Sequence, residues 1–170
     1  GADGCDSCVL IGDATVSATG LSCTACPNAQ EPNANRTACV DCSAVSTAHY
    51  RGPTSGGSCE RCGAGMEPTA NRASCAACSA VSAGSDGTCV VCAHGSEPNA
   101  QRTACVACAT AFAGTAGQCN RCTAGQEPTA DGTACQACPT GYAGTGGVCD
   151  ACDPGSEPDV SAVSCVDCSA

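Results

Sequence analysis

Large apolar residues occur along this chain singly or in short runs, separated by Gly, Ala, Ser and Thr. The longest run extends only from Cys8 to Ile11. No stretch keeps the 3.6-residue spacing of an amphipathic helix over about eleven residues or more. Gly, Pro, Asn and Asp cluster between the apolar positions, as is typical of turns. The pattern therefore predicts short β-hairpins joined by turns, with little regular secondary structure.

A tandem repeat organises most of the chain. Cys-x-x-Cys pairs begin at positions 5, 23, 39, 59, 75, 89, 105, 119, 135, 149 and 165, and from Cys59 onward every second pair starts the same unit again. Repeat arrays show such periods, and their terminal units commonly depart from the consensus. We expect a divergent N-terminal unit at 1–22, a first repeat at 23–58 with a loop insertion at 44–58, complete repeats at 59–88, 89–118 and 119–148, and a partial repeat at 149–170.

Each repeat has two unlike halves. The first half carries a Glu-Pro dipeptide, at 31–32, 67–68, 97–98, 127–128 and 157–158, and then a turn-rich segment that leads to the next cysteine. Because proline fixes φ and lacks an N–H donor, this half predicts a short irregular strand, a turn and a return strand. The second half is a smaller loop of Gly, Ala and Thr, in which Ser82, Phe112 and Tyr142 occupy equivalent positions.

The composition leaves too little apolar surface for an ordinary core. Leu, Ile, Val, Met and Phe supply 17 of the 170 residues, whereas cysteine supplies 22. So few large apolar residues normally indicate disorder, but this cysteine content marks a disulfide scaffold. Covalent links must offset the entropy of ordering the chain. The predicted fold class is small and disulfide-rich, an elongated solenoid of tandem disulfide-laddered β-hairpin modules.

Three chemistries use Cys-x-x-Cys pairs. Two pairs can supply four thiolates to a structural zinc site, but eleven pairs leave one without a partner, and the chain has no lysine. Thiol–disulfide exchange of the thioredoxin type needs the pair at a helix N-terminus in a βαβ unit, which the pattern does not predict. Structural disulfides fit best, and they predict an extracellular or cell-surface protein without a zinc cofactor.

Two disulfide connectivities are open. In a ladder, the second cysteine of each pair joins the first cysteine of the next pair; in the alternative, first joins first and second joins second, as in 59–75 with 62–78. We favour the ladder because it treats every loop equally and tolerates an odd number of pairs. Each ladder loop contributes roughly 3 kcal/mol in the chain-entropy treatment.

The ladder predicts ten bonds and two cysteines without an intramodular partner. The bonds are Cys8–Cys23, Cys26–Cys39, Cys42–Cys59, Cys62–Cys75, Cys78–Cys89, Cys92–Cys105, Cys108–Cys119, Cys122–Cys135, Cys138–Cys149 and Cys152–Cys165. Cys5 and Cys168 remain, either unpaired or bonded to further modules or to neighbouring molecules. They favour a longer parent protein or an end-to-end homopolymer.

The segment CTAGQEPTADGTACQACPTGYAGTGGVCDAC, residues 122–152, resembles the cysteine-rich repeats of ephrin-receptor and tumour-necrosis-factor-receptor ectodomains. It is more similar still to the tandem Cys-x-x-Cys repeats of protist surface proteins, namely variant surface antigens, ciliate immobilisation antigens and flagellar-hair (mastigoneme) proteins. The resemblance covers nearly the whole chain. In the receptor families, the second cysteine of one pair and the first of the next close a hairpin module, so the resemblance implies the ladder. The chain lacks the crossed extra cysteines of full receptor repeats.

The charge argues against nucleic acid and anionic membranes as partners. Sixteen acidic residues and six arginines give a net charge of −10, whereas a phosphate-binding surface needs clustered Lys and Arg. No apolar run approaches the roughly 18–20 residues that span a bilayer, so we expect no membrane insertion. Calcium is disfavoured because the chain has no dense Asp-x-Asp-x-Asp array.

Several side chains are candidates for covalent glycans. The sequon Asn35-Arg36-Thr37 lies in a turn-rich loop, which makes Asn35 a candidate for N-glycosylation. O-glycosylation would suit loops rich in Ser and Thr. The candidates that follow a proline are Thr54, Thr69, Thr129 and Thr140.

The remaining charged and polar side chains suggest no catalytic constellation. Glu31, Glu67 and Glu97 each precede an arginine, at positions 36, 72 and 102, with a spacing that would allow weak exposed ion pairs across hairpins. His49 and His94 are expected to be solvated loop residues. Because the cysteines are committed to disulfides, we expect no enzyme activity.

These observations favour an extracellular structural protein, a glycosylated fibre or surface-coat component built by repeat stacking and end-to-end assembly. The alternative is a binding ectodomain, an adhesin or receptor stalk, that uses the 44–58 insertion. A polymer should present near-identical surfaces in every repeat, as the regular stretch from Cys59 to Cys168 does. A receptor should concentrate variation in one place, as the insertion does.

Overall fold

The computed structural model describes residues 14–16, 23–50 and 58–168. Within them the chain forms twenty strands of two to four residues, each paired with one antiparallel neighbour. In chain order they are β1 (Ala14–Val16), β2 (Cys23–Ala25), β3 (Gln30–Pro32), β4 (Cys39–Asp41), β5 (His49–Tyr50), β6 (Glu60–Arg61), β7 (Met66–Pro68), β8 (Cys75–Ala77), β9 (Ser82–Ala83), β10 (Val90–Val91), β11 (Ser96–Pro98), β12 (Cys105–Ala107), β13 (Phe112–Thr115), β14 (Gln118–Arg121), β15 (Gln126–Pro128), β16 (Cys135–Ala137), β17 (Tyr142–Ala143), β18 (Asp150–Ala151), β19 (Ser156–Pro158) and β20 (Cys165–Asp167). The predicted fold class, a disulfide-rich chain of tandem β-hairpins with little regular structure, is confirmed.

Two kinds of hairpin alternate along the chain. The Glu-Pro hairpins are β3/β4, β7/β8, β11/β12, β15/β16 and β19/β20, and the short hairpins are β1/β2, β5/β6, β9/β10, β13/β14 and β17/β18. In each Glu-Pro hairpin the proline is the last residue of its strand and lies opposite a cysteine, as Pro98 lies opposite Cys105. A proline is tolerated there because a strand end does not need its missing N–H donor. The dipeptide thus marks where the strand ends and the loop begins.

The one helix among the described residues is a single turn, α1 (Cys42–Val45), at the start of the insertion. The N–H of Ser46 donates to the carbonyl oxygen of Cys42 (N···O 3.1 Å) and closes this turn. Hairpin β5/β6 follows α1. A single helical turn is too short for a helical pattern to be recognised in a sequence, so α1 was not predicted.

Cysteine, alanine and glycine supply most of the buried residues. Cys42 and Cys78, both second members of their pairs, are 0 % exposed, and Ala83 is 1 % exposed. Val90 and Val91, in contrast, are 61 % and 59 % exposed. The other buried cysteines and alanines of the described residues are Cys26, Cys62, Cys92, Cys122, Ala48, Ala111, Ala113 and Ala143. The disulfides therefore occupy the positions that large apolar side chains fill in an ordinary domain.

The described residues fall into two compact units. The first runs to Cys78 and includes Gly84–Cys89, and the second comprises Ser79–Ala83 and continues from Val90. In the first unit, the N–H of Gly65 donates to the carbonyl oxygen of Gly84 at 2.7 Å.

Backbone hydrogen bonds link successive hairpins of the second unit. The N–H of Gly95 donates to the carbonyl oxygen of Gly114 (2.8 Å), and the N–H of Gly114 donates to that of Gly132 (2.9 Å). The same two bonds recur in the next repeat, from Gly125 to Gly144 and from Gly144 to Ala162, both at 2.9 Å. Neighbouring hairpins thus meet main chain to main chain.

A side chain at Gly125 would collide with the next Glu-Pro hairpin, β19/β20. Its φ is +74°, and a Cβ atom would lie 2.3 Å from the carbonyl oxygen of Ser161. Gly155 is the same position one repeat later, with φ +92°, but no atom of the described residues lies within 4 Å of a Cβ placed there. Both glycines have a left-handed backbone, but only Gly125 lies against another hairpin.

We expect Gly125→Ala to lower the free energy of unfolding by about 2–4 kcal/mol, because a left-handed alanine costs about 1–2 kcal/mol and the clash displaces a hairpin. Gly155→Ala carries only the backbone cost, about 1–2 kcal/mol. Gly63→Ala has an unstrained, open site and should cost less than about 0.5 kcal/mol. Chemical denaturation of the disulfide-intact variants measures all three. Equal losses for Gly125→Ala and Gly155→Ala would show that the hairpin contact contributes nothing.

Candidate functional surfaces

Nine disulfides join cysteines in the described part of the chain, and each closes one hairpin. Their Cα–Cα distances are 5.4–5.7 Å, within the range that disulfide geometry requires. They are Cys26–Cys39, Cys42–Cys59, Cys62–Cys75, Cys78–Cys89, Cys92–Cys105, Cys108–Cys119, Cys122–Cys135, Cys138–Cys149 and Cys152–Cys165. All nine follow the ladder. Cys5 and Cys8, and with Cys8 the predicted Cys8–Cys23 bond, lie outside the described residues.

This pairing fixes the chemistry of the sulfur atoms. A disulfide sulfur cannot act as a thiolate ligand of zinc or as a nucleophile. Cys168 carries a free, exposed thiol. Between residues 23 and 50 and between 58 and 168, no group of three or more His, Cys, Asp or Glu side chains is placed to hold a metal ion. So many disulfides indicate a secreted or extracellular protein.

Disulfide mapping distinguishes the two connectivities. Proteolysis without reduction should yield linked peptides that join Cys108 to Cys119 and Cys122 to Cys135, because these partners are bonded across a hairpin. A reduced and alkylated sample is the control and should yield no linked peptides. Peptides that join Cys105 to Cys119 would contradict the ladder.

The loops of the Glu-Pro hairpins are organised by an Asn or Asp acceptor. In one loop, Asn99 Oδ1 accepts the N–H of Thr103 at 2.9 Å. In another, Asp159 Oδ1 accepts the N–H of Val163 at 3.0 Å and the hydroxyl of Ser161 at 2.9 Å. These bonds lower the pKa of Asp159 below its usual value, and the bond from the N–H of Val163 has the largest effect. The residue after the proline thus determines the turn in these loops.

Where threonine follows the proline, the acceptor moves two residues along the loop. The Thr129 hydroxyl donates to Asp131 Oδ1 at 2.6 Å, and Thr133 donates to the same oxygen from its N–H (3.1 Å) and its hydroxyl (2.9 Å). These three bonds stabilise the ionised carboxylate, and they lower the pKa of Asp131 to about 2. The two loop types reach the same turn by different side chains.

The Asp131 loop should weaken only in strong acid. Because its folded pKa, about 2, lies below the ordinary value of 3.8, the carboxylate's stabilising contribution is complete above the ordinary value and is lost as the pH falls through about 2. An NMR titration of the Asp131 side-chain carbonyl carbon and of the Thr133 amide measures the midpoint. Asp131→Asn is the control, since it keeps an acceptor oxygen and cannot titrate. A midpoint near 3.8 would show that the three bonds do not persist in solution.

The predicted N-glycosylation site lies at the tip of an ordered loop. Asn35 is exposed, and its sequon neighbour Thr37 is held by Asn33. Asn33 Oδ1 accepts the N–H of Thr37 at 2.9 Å, and its Nδ2 donates to the Thr37 hydroxyl at 3.1 Å. Asn35 itself is therefore open to a modifying enzyme, and its glycosylation stays a prediction.

The predicted O-glycosylation residues differ in accessibility. Thr69 donates its hydroxyl to Asn71 Oδ1 at 2.8 Å, and Thr129 donates to Asp131, so a glycan on either hydroxyl would remove a bond that shapes the loop. Thr140 is exposed in the turn before β17. Thr54 lies outside the described residues. Among these candidates the folded chain favours Thr140.

Two charged side chains, those of Arg72 and Glu31, contact main chain at the two ends of the insertion. Arg72 Nη1 donates to the carbonyl oxygens of Thr47 (3.0 Å) and His49 (2.8 Å). Glu31 Oε2 accepts the N–H of Cys59 at 2.7 Å. Because the partners of each bond lie in different hairpins, these bonds tie the start and the end of the insertion to neighbouring Glu-Pro hairpins.

His49 is not the solvated loop residue that the sequence suggested. It lies in β5 opposite Arg61, and its Nδ1 atom is buried with no hydrogen-bond partner among residues 23–50 and 58–168. Its neighbour Tyr50 donates its hydroxyl to Glu60 Oε2 at 3.3 Å. Residues 51–57, the rest of the insertion, lie outside the described residues.

An open groove lies on the second unit. Its volume is about 470 Å³, and its walls are the turn at 107–112, the Glu-Pro loop at 127–132 and the tight turn at 147–149. Phe112 and Val148 supply apolar surface, and Glu127 and Asp131 supply carboxylates. The sequence did not indicate this groove, because three separate hairpins each contribute one wall.

Comparison with known proteins identifies no relative of this chain. A scan with protein-family models finds no match, and a sequence search finds no curated protein similar to the chain. In the part of the chain that the structure describes, no helix is long and apolar enough to cross a membrane. The function of this chain must therefore be argued from its hairpins, its disulfides and its surfaces.

Proposed function

We propose that this chain is a structural component of an extracellular fibre or cell-surface coat, glycosylated and built by repeat stacking. The observation that carries the proposal is the repeated backbone bonding. The bonds from Gly95 to Gly114 and from Gly114 to Gly132 measure 2.8 and 2.9 Å, and their counterparts in the next repeat both measure 2.9 Å. Because main-chain atoms join the modules, the same junction can form in every repeat whatever most of the side chains are. A structural filament requires such a repeated junction.

The last Glu-Pro hairpin has room for a further module, whether of the same polypeptide or of a neighbouring molecule. Gly155 in hairpin β19/β20 has a positive φ, as Gly95 and Gly125 have, and the space beside Gly155 is open where Gly125 meets the next Glu-Pro hairpin. Cys168 adds an exposed thiol at the position from which the ladder would continue. A following module would find both a covalent and a main-chain attachment point here.

Glycans would supply the lateral surface that the chain itself lacks. The exposed large apolar residues include Val90, Val91 and Val160, but the composition holds few such residues. Lateral contacts in a coat or fibre would therefore depend on polar groups, backbone edges or attached sugars. Asn35 and Thr140 are the exposed candidates for attachment.

A binding ectodomain, such as an adhesin or receptor stalk, is the second candidate. The insertion at 44–58 departs from the repeat and carries part of α1; Arg72 binds its beginning at His49, and Glu31 binds Cys59 directly after it. Loops that depart from a regular scaffold commonly carry binding residues. This function would predict that replacing the insertion abolishes binding to a partner and leaves assembly unchanged.

Intact mass and peptide mapping of the protein from its native source test the structural proposal. We expect excess mass in hexose-sized increments, a glycan on the Asn35 peptide, and a linked peptide that joins Cys168 of one molecule to Cys5 of another. Asn35→Gln, expressed in the same host, is the control and should lose the glycan on that peptide. A mass equal to the bare polypeptide would contradict glycosylation, and Cys168 recovered as a free thiol in assembled material would contradict covalent end-to-end linkage. Recovery of every cysteine as a free thiol with bound zinc would overturn the extracellular assignment.

A further inference from the structure

The disulfides of the second unit are arranged in series along the chain. Each bond closes one hairpin, and two residues separate the end of one bond from the start of the next. The bonds are Cys92–Cys105, Cys108–Cys119, Cys122–Cys135, Cys138–Cys149 and Cys152–Cys165, and each spans a Cα–Cα distance of 5.5 or 5.6 Å. A covalent path therefore crosses every one of these hairpins at its base and does not follow the chain around the loop.

The residues between successive disulfides are already extended in the folded chain. Two residues lie inside each Cys-x-x-Cys pair, and in the second unit these residues belong to strands β12, β14, β16 and β18. A strand rises about 3.3 Å per residue, close to the limit of about 3.5 Å per residue for a fully stretched chain. These spans therefore have little slack, and pulling on them changes their direction much more than their length.

The crossed connectivity would lack this property. It would close 59–75 and 62–78 but leave the segment from Cys78 to Cys89 open, so that every second hairpin could be pulled out under tension. Both connectivities use the same four cysteines of a repeat, and the stabilisation that a disulfide provides depends only weakly on the length of its loop. Stability would therefore be served by either connectivity, whereas only the ladder removes the slack from every hairpin.

Tension along the chain would act on the contacts between hairpins and not on those within them. The hydrogen bond from the N–H of Gly95 to the carbonyl oxygen of Gly114 joins hairpins that different disulfides close, so pulling the hairpins apart breaks it. The bond from the N–H of Thr103 to Asn99 Oδ1 lies inside one closed loop. It carries no load, because the disulfide holds the two ends of that loop together.

We propose that this chain bears tension along its length, and that the disulfides and the Cys-x-x-Cys strands are the path that carries the load. Between Cys92 and Cys165 this path is at most about 70 Å long when taut, whereas the same segment after reduction reaches about 250 Å. The hairpin loops are shielded, so a loop can carry a glycan or a changed sequence without weakening the chain. The biological use of this property rests on the structural role proposed above, but the load path belongs to the single molecule.

Stretching of single molecules tests the load path. The full chain is held by peptide tags fused to its two termini and joined to the handles enzymatically, so that no cysteine is modified. Without reductant, the double variant Cys122→Ser and Cys135→Ser should stretch about 40 Å farther than the unchanged chain, because 13 residues replace one disulfide in the path. The measurement reads the stretched length, so it holds whether or not the opened hairpin still folds. Equal stretched lengths would overturn the proposal.

Reduction under load should lengthen the unchanged chain in steps. Each step should measure about 40 Å where the bonded cysteines are 13 residues apart and about 33 Å where they are 11 residues apart. In the crossed connectivity, breaking the first bond of a pair leaves the second to hold the same segment. Such silent first reductions would contradict the proposed load path.

A lengthened loop is the matched control for shielding. About ten Gly and Ser residues are inserted after Ala130, an exposed residue of a Glu-Pro loop, where insertions are well tolerated. With the Cys122–Cys135 bond intact, the insertion should leave the stretched length unchanged, and in the double serine variant it should add about 35 Å. Added length in the presence of the bond would show that the loop carries load and would overturn the proposal. Since isolated molecules are pulled, a chain that has this load path but forms no fibre or coat would contradict the structural role alone.

Discussion

The disulfide that closes each hairpin is the constraint on which the rest of this structure depends. A two-stranded hairpin with strands of two to four residues is at best marginally stable in water. The first cysteine of several hairpins, such as Cys42 or Cys78, is fully buried and so supplies both the covalent link and part of the interior. Valines that would form the core of another domain, such as Val90, remain largely exposed. Disulfides and small residues, chiefly alanine and glycine, therefore take the place of a core of large apolar side chains.

Because the disulfides hold each module, the modules can meet through main-chain atoms. Gly114 donates to one hairpin and accepts from another, which requires close approach of the backbones. At Gly125 even a methyl group would lie 2.3 Å from the neighbouring carbonyl oxygen. The abundance of glycine and alanine, together with so few large apolar residues, would normally indicate disorder, but here it allows close contact between hairpins.

Cysteine spacing and the Glu-Pro dipeptides were enough to predict the hairpins, because both act within a single hairpin. The contacts of Arg72 and Glu31 were not predictable in this way. The carbonyl oxygens of Thr47 and His49, which Arg72 contacts, belong to an earlier part of the chain and reach Arg72 only after the hairpins meet. The helical turn α1 was not predicted because it is too short to show a helical pattern in the sequence. The groove was not predicted because it forms only where three hairpins meet.

A constant backbone with a variable side chain lets the surface of one repeat differ from that of the next. Arg36, Arg72, Arg102, Gly132 and Ala162 all lie at one loop position with φ between 50° and 67°. The loop is fixed by the Asn, Asp or Thr that follows the proline, so this residue is not needed to form the turn. The side chain there can bind the turn of a neighbouring hairpin, as Arg72 does, or be absent, as at Gly132. One such change alters the surface of a repeat while its disulfide and its backbone bonds to the next hairpin stay the same.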